Sequence, residues 1–172
     1  MTSFLDLAKA RFSSRQFTLK PVEREKLEKI LEAGKVAPTA KNQQPQRIYV
    51  VQSEEGLKKL NRLTRCIYGA TTVLMIAYDE TRAWQNPLEE GVHSGEVDVS
   101  IVATHMMMEA ADLGLGSCWV GWFPPRETAR EFNLPDTVHP VLLLPIGYTS
   151  EEFRPSPTHT QYREDKDIVE FI

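Results

Sequence analysis

The sequence predicts a layered fold in which a β-sheet is covered by helices on both faces. Apolar helical segments alternate along the chain with short runs rich in β-branched and aromatic residues. One run, Ala70 to Tyr78, is almost continuously apolar, which is typical of a central strand buried on both faces. The longest predicted helix, Glu96 to Leu113, is apolar over much of its circumference through residues such as Val97, Ile101 and Met108, so we expect it to lie in the core.

The other helices are predicted from their end signals and their spacing. A first helix spans Met1 to Phe12, with Ser3 or Thr2 as its N-cap. Pro21 opens a second helix, which ends before Pro38 because a residue preceding proline is disfavoured in the α conformation. Ser53 caps a third helix, Gly114 ends the long fourth one, and a short fifth helix begins at Pro124 and Pro125.

Strands are predicted at Arg47–Gln52, Ala70–Tyr78, Ser117–Phe123 and Val138–Ile146. The polar segment 79–95 is predicted to be a loop or lid, and residues 149–172 an extended arm with a small apolar end, DIVEFI. The spacing of apolar residues does not determine the order or direction of the strands in the sheet. Gly114-Leu115-Gly116 lacks the third glycine of a dinucleotide-binding fingerprint and follows a helix rather than a strand, which argues against a Rossmann domain.

Composition excludes several classes of function. A formal charge of -4 and the absence of a block of like charge give no support for binding nucleic acid or an anionic membrane. No apolar stretch has the length of a signal peptide or of a bilayer span. Cys66 and Cys118 lack metal-ligand spacing, so we expect two buried thiols, no metal and a reducing compartment. A single cytoplasmic domain over residues 1–172 is expected.

Three segments could carry chemistry. In an extended Arg11-Phe12-Ser13-Ser14-Arg15, alternate residues would point the same way and present two guanidinium groups and a hydroxyl to a phosphate. Solvated arginines after a helix are the simpler interpretation, and the spacing alone favours it.

The second segment, residues 37–45, is a proline-flanked loop dense in amide and hydroxyl groups. It could present hydrogen-bond partners to a planar heterocycle, or be only an ordered turn.

The third segment, residues 114–123, combines glycines with Trp119 and Trp122. Its glycines allow close approach of a flat ligand, whereas core packing explains the tryptophans equally well. Cys118 could be a nucleophile with His105 or His139 as its base, but no activating pattern surrounds it, and a structural thiol is the better interpretation.

Taken together and in order, these segments resemble the successive signatures of the nitroreductase family. The matching patterns are Arg11-x-Ser13-x-Arg15-x-Phe17, Ala37-Pro38-Thr39-Ala40-x-Asn42-x-Gln44-Pro45, Gly114 to Gly121, and Pro145-Ile146-Gly147-Tyr148. Each pattern is weak alone, but their joint occurrence is specific and covers nearly the whole chain.

The resemblance implies an α+β fold, a three-layer α/β/α sheet with an extended C-terminal arm, and FMN held between two subunits of a homodimer. It assigns Arg11 and Ser13 to the phosphate, and Arg15 to the ribityl chain or the pyrimidine edge. Pro38, Thr39, Ala40 and Asn42 of the other subunit would line the ring, and the backbone of Trp119, Val120 and Gly121 would lie near flavin N5. Arg154 or Arg163 would complete the phosphate site, and Gln46 replaces an aromatic residue frequent in the family.

The implied activity is an NAD(P)H-dependent flavin oxidoreductase that reduces nitroaromatic, quinone or related acceptors in a ping-pong transfer through flavin N5. No side chain is predicted to be catalytic, because the flavin carries the redox chemistry. Trp84 and Trp122 are candidates for substrate contact. The competing hypothesis is a flavin-binding protein of the same fold without NAD(P)H turnover: a flavin-fragmenting or dehalogenase-like relative, or a flavin carrier.

Overall fold

The fold was analysed in a computed structural model that describes residues 3–172. In this range the chain forms five α-helices: α1 Phe4–Ala10, α2 Arg24–Val36, α3 Glu54–Leu63, α4 Gly95–Asp112 and α5 Pro125–Glu131. The strands are β1 Gln46–Val51, β2 Thr72–Asp79, β3 Gly116–Ser117 and β4 Val138–Gly147. They form one sheet in the order β1-β2-β4-β3, and every pairing is antiparallel. The fold is therefore α+β.

β2 is the centre of the sheet, as its apolar sequence predicts. It pairs with β1 on one side, where Ile76 is opposite Ile48, and with β4 on the other, where Leu74 is opposite Leu144. Its residues alternate between two apolar cores, because successive side chains of a strand point to opposite faces. Leu74 and Ile76 pack toward α2 and α4, whereas Val73 and Met75 pack in the second core with α3. Helices thus cover both faces.

Local signals explain where several helices begin and end. The Ser53 hydroxyl accepts the Gly56 N–H at 3.1 Å and caps α3, and the Ser3 hydroxyl caps α1 by accepting the Asp6 N–H. Gly114 has φ +75° just after α4, the left-handed conformation common after a helix end. Met1 and Thr2, which the predicted first helix included, lie outside the described residues.

Two predicted boundaries are wrong. α2 begins at Arg24, not at Pro21, with Glu23 at its N-cap. The predicted strand 117–123 is reduced to the short β3 and an isolated bridge from Val120 to Leu143. The opposing strand contains Pro145, which accepts a hydrogen bond from the Cys118 N–H but has no N–H to return, so the ladder cannot continue regularly.

Helix α4 is buried on one face only. Its core residues are Val99, Val102, Ala103, Met106 and Ala110. The prediction that Val97 also lies in the core is wrong, because its side chain is 62% exposed, and Ile101 is only partly buried. Val97 and Ile101 thus form an apolar stripe of α4 that the rest of this chain does not fully cover.

The last residues form an arm without strands. Residues 149–172 contain two short 3-10 helices, Pro157–Thr160 and Asp165–Asp167. Side chains of the apolar end are at least half exposed: Ile168, Val169, Phe171 and Ile172. The expected apolar anchor therefore does not enter the core of this protomer. Within residues 3–172, no helix has the length and apolar character needed to cross a membrane.

Candidate functional site

The arginine-containing segment after α1 lies along the edge of the sheet in an extended conformation. The Ser14 N–H donates to the Ser117 carbonyl at 2.9 Å, and the Thr18 N–H donates to the Tyr148 carbonyl at 2.8 Å. The Ser150 N–H donates back to the Gln16 carbonyl at 3.0 Å. Backbone pairing on both sides holds this segment between β3 and the residues after β4, so alternate side chains point in opposite directions.

Gly116 allows this close approach. The Ser14 hydroxyl is buried and lies 2.7 Å from the Thr149 hydroxyl, directly over Gly116. A Cβ atom at Gly116 would overlap both hydroxyl groups. Any larger residue would therefore displace the segment from the sheet edge. Ser14 is buried, whereas Ser13 is partly exposed and Arg15 is exposed; the alternation ends there, because Gln16 is exposed and Phe17 is buried.

A groove of about 310 Å³ adjoins this segment. One wall is the end of α1 with Arg11 and Phe12, and another is the C-terminal end of α4 with Ala111 and Gly114. Tyr148 and Thr149 close the third side. The groove is therefore shaped by the three elements that the sequence motifs single out.

The two arginines carry positive charge that is not neutralised locally. None of the seven ion pairs found among residues 3–172 includes Arg11 or Arg15. Salt-bridged arginines are ordinary surface features, whereas unpaired guanidinium groups, one of which lines the groove, suit an anion. The Ser117 hydroxyl is also buried without a hydrogen-bond partner in the described part of the chain, next to the bridge with Ser13.

Cys118 is buried next to the bridge between the arginine segment and β3. Burial raises the pKa of its thiol, and the positive charge of Arg15 only partly opposes this effect. The proposed bases are engaged elsewhere: His105 lies 3.0 Å from the Ile101 carbonyl, and His139 lies 2.8 Å from Glu80. Cys118 is therefore a protonated structural thiol.

The backbone near Trp119 has fewer groups free to bind a ligand than the sequence motif implies. Val120 exchanges both of its backbone hydrogen bonds with Leu143, at 2.9 and 3.0 Å, so its N–H is not free to donate to a ligand. In the described chain the N–H groups of Trp119 and Gly121 have no backbone partner. The Trp119 side chain is 42% exposed. At this strand the N–H groups of Trp119 and Gly121 could donate to a ligand, whereas that of Val120 is already paired.

The proline-flanked loop is a rigid turn with unusual backbone angles. Lys41, Asn42 and Gln44 have φ of 50°, 55° and 51°, although none is glycine. Non-glycine residues adopt this region at an energetic cost, which persists where surrounding bonds impose it. Here the Thr39 hydroxyl accepts the Gln44 N–H at 3.1 Å, and the Asp98 carboxylate accepts the Ala40 N–H at 2.9 Å. Pro38 is exposed, Thr39 and Ala40 are partly exposed, and Asn42 is exposed.

The turn and the arginine segment lie at opposite ends of α4. The turn is bonded to Asp98 in the first helical turn, whereas the groove contains Ala111 near the last residue. At 1.5 Å per residue these positions are about 20 Å apart. One protomer therefore does not bring the two predicted halves of the site together.

The remaining predicted residues lie in separate places. Trp84 is partly buried in the 79–95 loop, and Trp122, beyond β3, is 76% exposed. The Trp122 carbonyl accepts a hydrogen bond from the Thr64 hydroxyl at 2.6 Å.

The two arginines of the C-terminal arm bind backbone carbonyls. Arg154 donates to carbonyls of its own loop, and its neighbour Phe153 stacks on Phe12 beside the groove. Arg163 donates to the Asp167 carbonyl at 3.0 Å. Among residues 3–172 no cluster of metal-ligating side chains is found.

Sequence reasoning missed a polar clamp at the groove. The Tyr148 hydroxyl donates to the Glu23 carboxylate at 2.7 Å and accepts from Lys26 at 3.1 Å, and Lys26 also donates to the Leu113 carbonyl at 2.9 Å. Lys20 lies over the Tyr148 ring, 3.8 Å from its centre. The clamp joins the start of α2 to the end of α4 across the residue that closes the groove. The residues of the clamp are far apart in sequence, so no local sequence pattern predicts it.

Comparisons with known proteins agree with this architecture. A sequence model described as the nitroreductase family matches residues 8–68 and 63–148. A crystal structure of a nitroreductase family protein from Clostridium difficile 630 is 38% identical, with a TM-score of 0.91 and 98% of each chain covered. A protein described as an FMN-dependent nitroreductase from Clostridium difficile R20291 is 26% identical with a TM-score of 0.77, covering 97% of this chain and 98% of that one. An FMN reductase [NAD(P)H] of Bacillus subtilis is 30% identical over 84% of this chain and 65% of its own length.

The clamp predicts a pH-dependent loss of stability in Tyr148→Phe. The hydrogen bond from Tyr148 is the largest of several contacts, including one to its own backbone and one to Lys20, that lower the pKa of Glu23 from 4.5 to about 2. A carboxylate with a lowered folded-state pKa stabilises the protein above pH 4.5, and this contribution disappears as the pH falls toward 2. We expect thermal denaturation at neutral pH to show a slightly lower midpoint in Tyr148→Phe, because solvent screens the exposed Glu23, with the difference shrinking below pH 4.5. The matched control is Tyr162→Phe at a 76% exposed side chain. A difference that stays constant down to pH 2 would contradict the assignment.

Proposed function

Because the chain belongs to the nitroreductase family, we propose that it is an FMN-dependent oxidoreductase that takes electrons from NADH or NADPH. The observation that carries the proposal is Arg11, which lines the groove at the sheet edge, together with Arg15 four residues along the same segment. Neither arginine takes part in an ion pair found among residues 3–172. The names of the Bacillus subtilis and Clostridium difficile R20291 relatives support the same cofactor.

The residues at the edge fit a flavin phosphate. Arg11 lines the groove, Ser13 is partly exposed two residues along the extended chain, and the buried Ser117 hydroxyl beside them lacks a partner among the described residues. Guanidinium and hydroxyl groups donate strong, directed hydrogen bonds to phosphate oxygens. We assign Arg11 and Ser13 to the phosphate and Arg15 to the ribityl chain or pyrimidine edge.

An additional cation from the C-terminal arm would complete this site. Arg154 and Arg163 both donate to backbone carbonyls, and neither takes part in an ion pair found in the described chain. Arg154 and Arg163 both remain candidates for this additional cation. Arg154 lies nearer the groove within one protomer, because Phe153 stacks on Phe12.

Bound FMN would supply two-electron redox chemistry between a nicotinamide and an acceptor. The protein's own contribution is binding, orientation and charge. Arg15 would stabilise negative charge on the pyrimidine edge, and the N–H groups of Trp119 and Gly121 would bind the ring's polar edge. Cys118 keeps its proton and takes no part.

The acceptor is proposed to be a planar molecule such as a nitroaromatic compound or a quinone. Trp119 is 42% exposed and Trp122 is 76% exposed, and aromatic side chains bind planar rings by stacking. Trp84, on the 79–95 loop, is a further candidate. No charged side chain is assigned to the acceptor, which suits a site that takes several acceptors.

We propose a homodimer, which the separation of the two halves of the site supports. The turn 37–45 and the arginine segment are about 20 Å apart along α4, so one protomer does not bring the proposed ring wall and the proposed phosphate site together. Antiparallel packing of α4 against its copy would place the turn of one protomer over the groove of the other. Helix α4 offers a stripe for this contact, with Val97 exposed and Ile101 partly exposed. We propose that the C-terminal arm adds to the same interface.

Anaerobic titration tests the proposed activity. The purified protein is reconstituted with FMN, and NADH or NADPH is added while the flavin absorbance is followed. We expect full bleaching by at least one nicotinamide, and reoxidation by a nitrobenzoate or a benzoquinone. Binding of FMN without bleaching would favour a flavin-binding protein that lacks NAD(P)H turnover. Failure to bind FMN at all would overturn the proposal.

Charge placed on the α4 stripe tests the dimer. Ile101→Glu would bury a carboxylate in the proposed interface, so we expect sedimentation to show a monomer and the FMN to be released with dissociation. Leu88→Glu, at a side chain 92% exposed outside the stripe, is the matched control and should remain dimeric. A monomeric Ile101→Glu variant that retains FMN would contradict a site built from two subunits.

A further inference from the structure

Asp98 is a buried carboxylate at the start of α4 that no sequence motif singles out. Its residue is 3% exposed, and it has no ion-pair partner within residues 3–172. A buried charge persists only when hydrogen bonds replace its lost hydration. Asp98 obtains these bonds from two loops: one oxygen accepts the Ala40 N–H at 2.9 Å, and the other accepts the Ser94 hydroxyl at 2.7 Å. Its place in the first helical turn is also favourable for a negative charge.

Ser94 extends this arrangement to the 79–95 loop. Its hydroxyl accepts the Trp84 N–H at 3.1 Å, and its own N–H donates to the Trp84 carbonyl at 2.9 Å. Ser94 is 8% exposed. The hydrogen bonds run in one direction from Trp84 through Ser94 to Asp98, whose second oxygen holds Ala40. A single continuous network thus joins the strained turn 37–45 to the loop that carries Trp84.

The network has structural reasons to act as a unit. Ala40 precedes Lys41 and Asn42, whose left-handed angles are unfavourable without support from outside the turn. Loss of one member would leave the carboxylate under-coordinated in a buried position, which strains the remaining bonds. The Gly95 backbone packs against the Tyr78 ring, where an added Cβ would lie 2.5 Å from a ring carbon, so the start of α4 has little freedom to adjust.

We propose that Asp98 is a positioning residue that couples the turn 37–45 to the 79–95 loop through Ser94. The two loops then open together rather than separately. This inference rests on the proposed function. It means that one buried carboxylate fixes the positions of both the turn proposed to line the flavin ring and the loop proposed to contact the acceptor. A change on the acceptor side would alter FMN affinity although it touches no flavin-binding residue.

Amide hydrogen exchange tests the coupling without reference to activity. The variants are Asp98→Ala, Asp98→Asn and Ser94→Ala, with amides of β2 as an internal measure of global stability. Asp98→Ala should speed exchange at the Ala40 amide about 10-fold or more, since a hydrogen bond to a charged group is lost. The decisive result is the effect on amides that do not contact the substituted residue. Asp98→Ala should also speed exchange at the Trp84 amide, and Ser94→Ala should speed exchange at the Ala40 amide. Asp98→Asn should restore much of the protection, because its carbonyl can still accept the Ala40 N–H.

Thr81→Ala is the matched control. It removes a hydroxyl from the same loop, one that donates to Asp79 at 2.6 Å but lies outside the network. It should leave exchange at Ala40 unchanged. If each variant affects only its own hydrogen-bond partner, the coupling is overturned. If Asp98→Ala does not fold, the effect of Ser94→Ala on Ala40 still decides the question.

FMN affinity supplies the functional measurement. Ser94→Ala should raise the Kd for FMN at least about 5-fold, the lower range of typical coupling between two sites. An unchanged Kd, with remote exchange effects present, would overturn the functional part of the inference. Its failure is distinguishable from failure of the proposed function, because a protein that binds no FMN could still show the exchange coupling. Conversely, a flavin enzyme could lack that coupling.

Discussion

The structure depends on the backbone pairing that holds residues 13–18 against the edge of the sheet. Ser14 bonds to Ser117 and Thr18 bonds to Tyr148, so the segment is fixed from both sides. The pairing requires a residue without a side chain at 116, because the hydroxyls of Ser14 and Thr149 occupy the space that a Cβ would take. Held in this way, Ser14 is buried, Ser13 is partly exposed and Arg15 is exposed.

Helix α4 connects the separate parts of the molecule. Its buried face packs on the sheet, its first turn holds the strained turn 37–45 through Asp98, and its last turn forms one wall of the groove. Its length keeps these two regions apart in one protomer. The uncovered stripe through Val97 and Ile101 and the division of the site are thus related observations. Both are explained if two copies of α4 pack in opposite directions.

Some of this could be predicted from the sequence because the cause is local. A run of apolar residues defines β2, Ser53 caps α3, and Pro38 ends α2, since each effect acts within a few residues. The short β3 was not predictable in this way. Its length is limited by Pro145 on the opposing strand, and which strand opposes it depends on the whole topology.

The same distinction applies to the site. Arg11, Ser13 and Arg15 form a recognisable local pattern, and their extended conformation agrees with it. Asp98 looks in sequence like an ordinary acidic residue in the first turn of a helix, and its bond to Ala40 joins residues 58 positions apart. Likewise, Val97 and Val99 are equally apolar, but one faces outward and the other is buried.

The central claim is that the sheet edge binds the phosphate of FMN, and comparing FMN with riboflavin tests it most directly. Riboflavin has the same ring and ribityl chain but no phosphate. The account predicts that the wild-type protein binds FMN much more tightly, and that Arg11→Ala weakens FMN binding by about 10-fold or more while leaving riboflavin affinity nearly unchanged. Equal weakening for both flavins, or no effect on either, would contradict a phosphate site at Arg11.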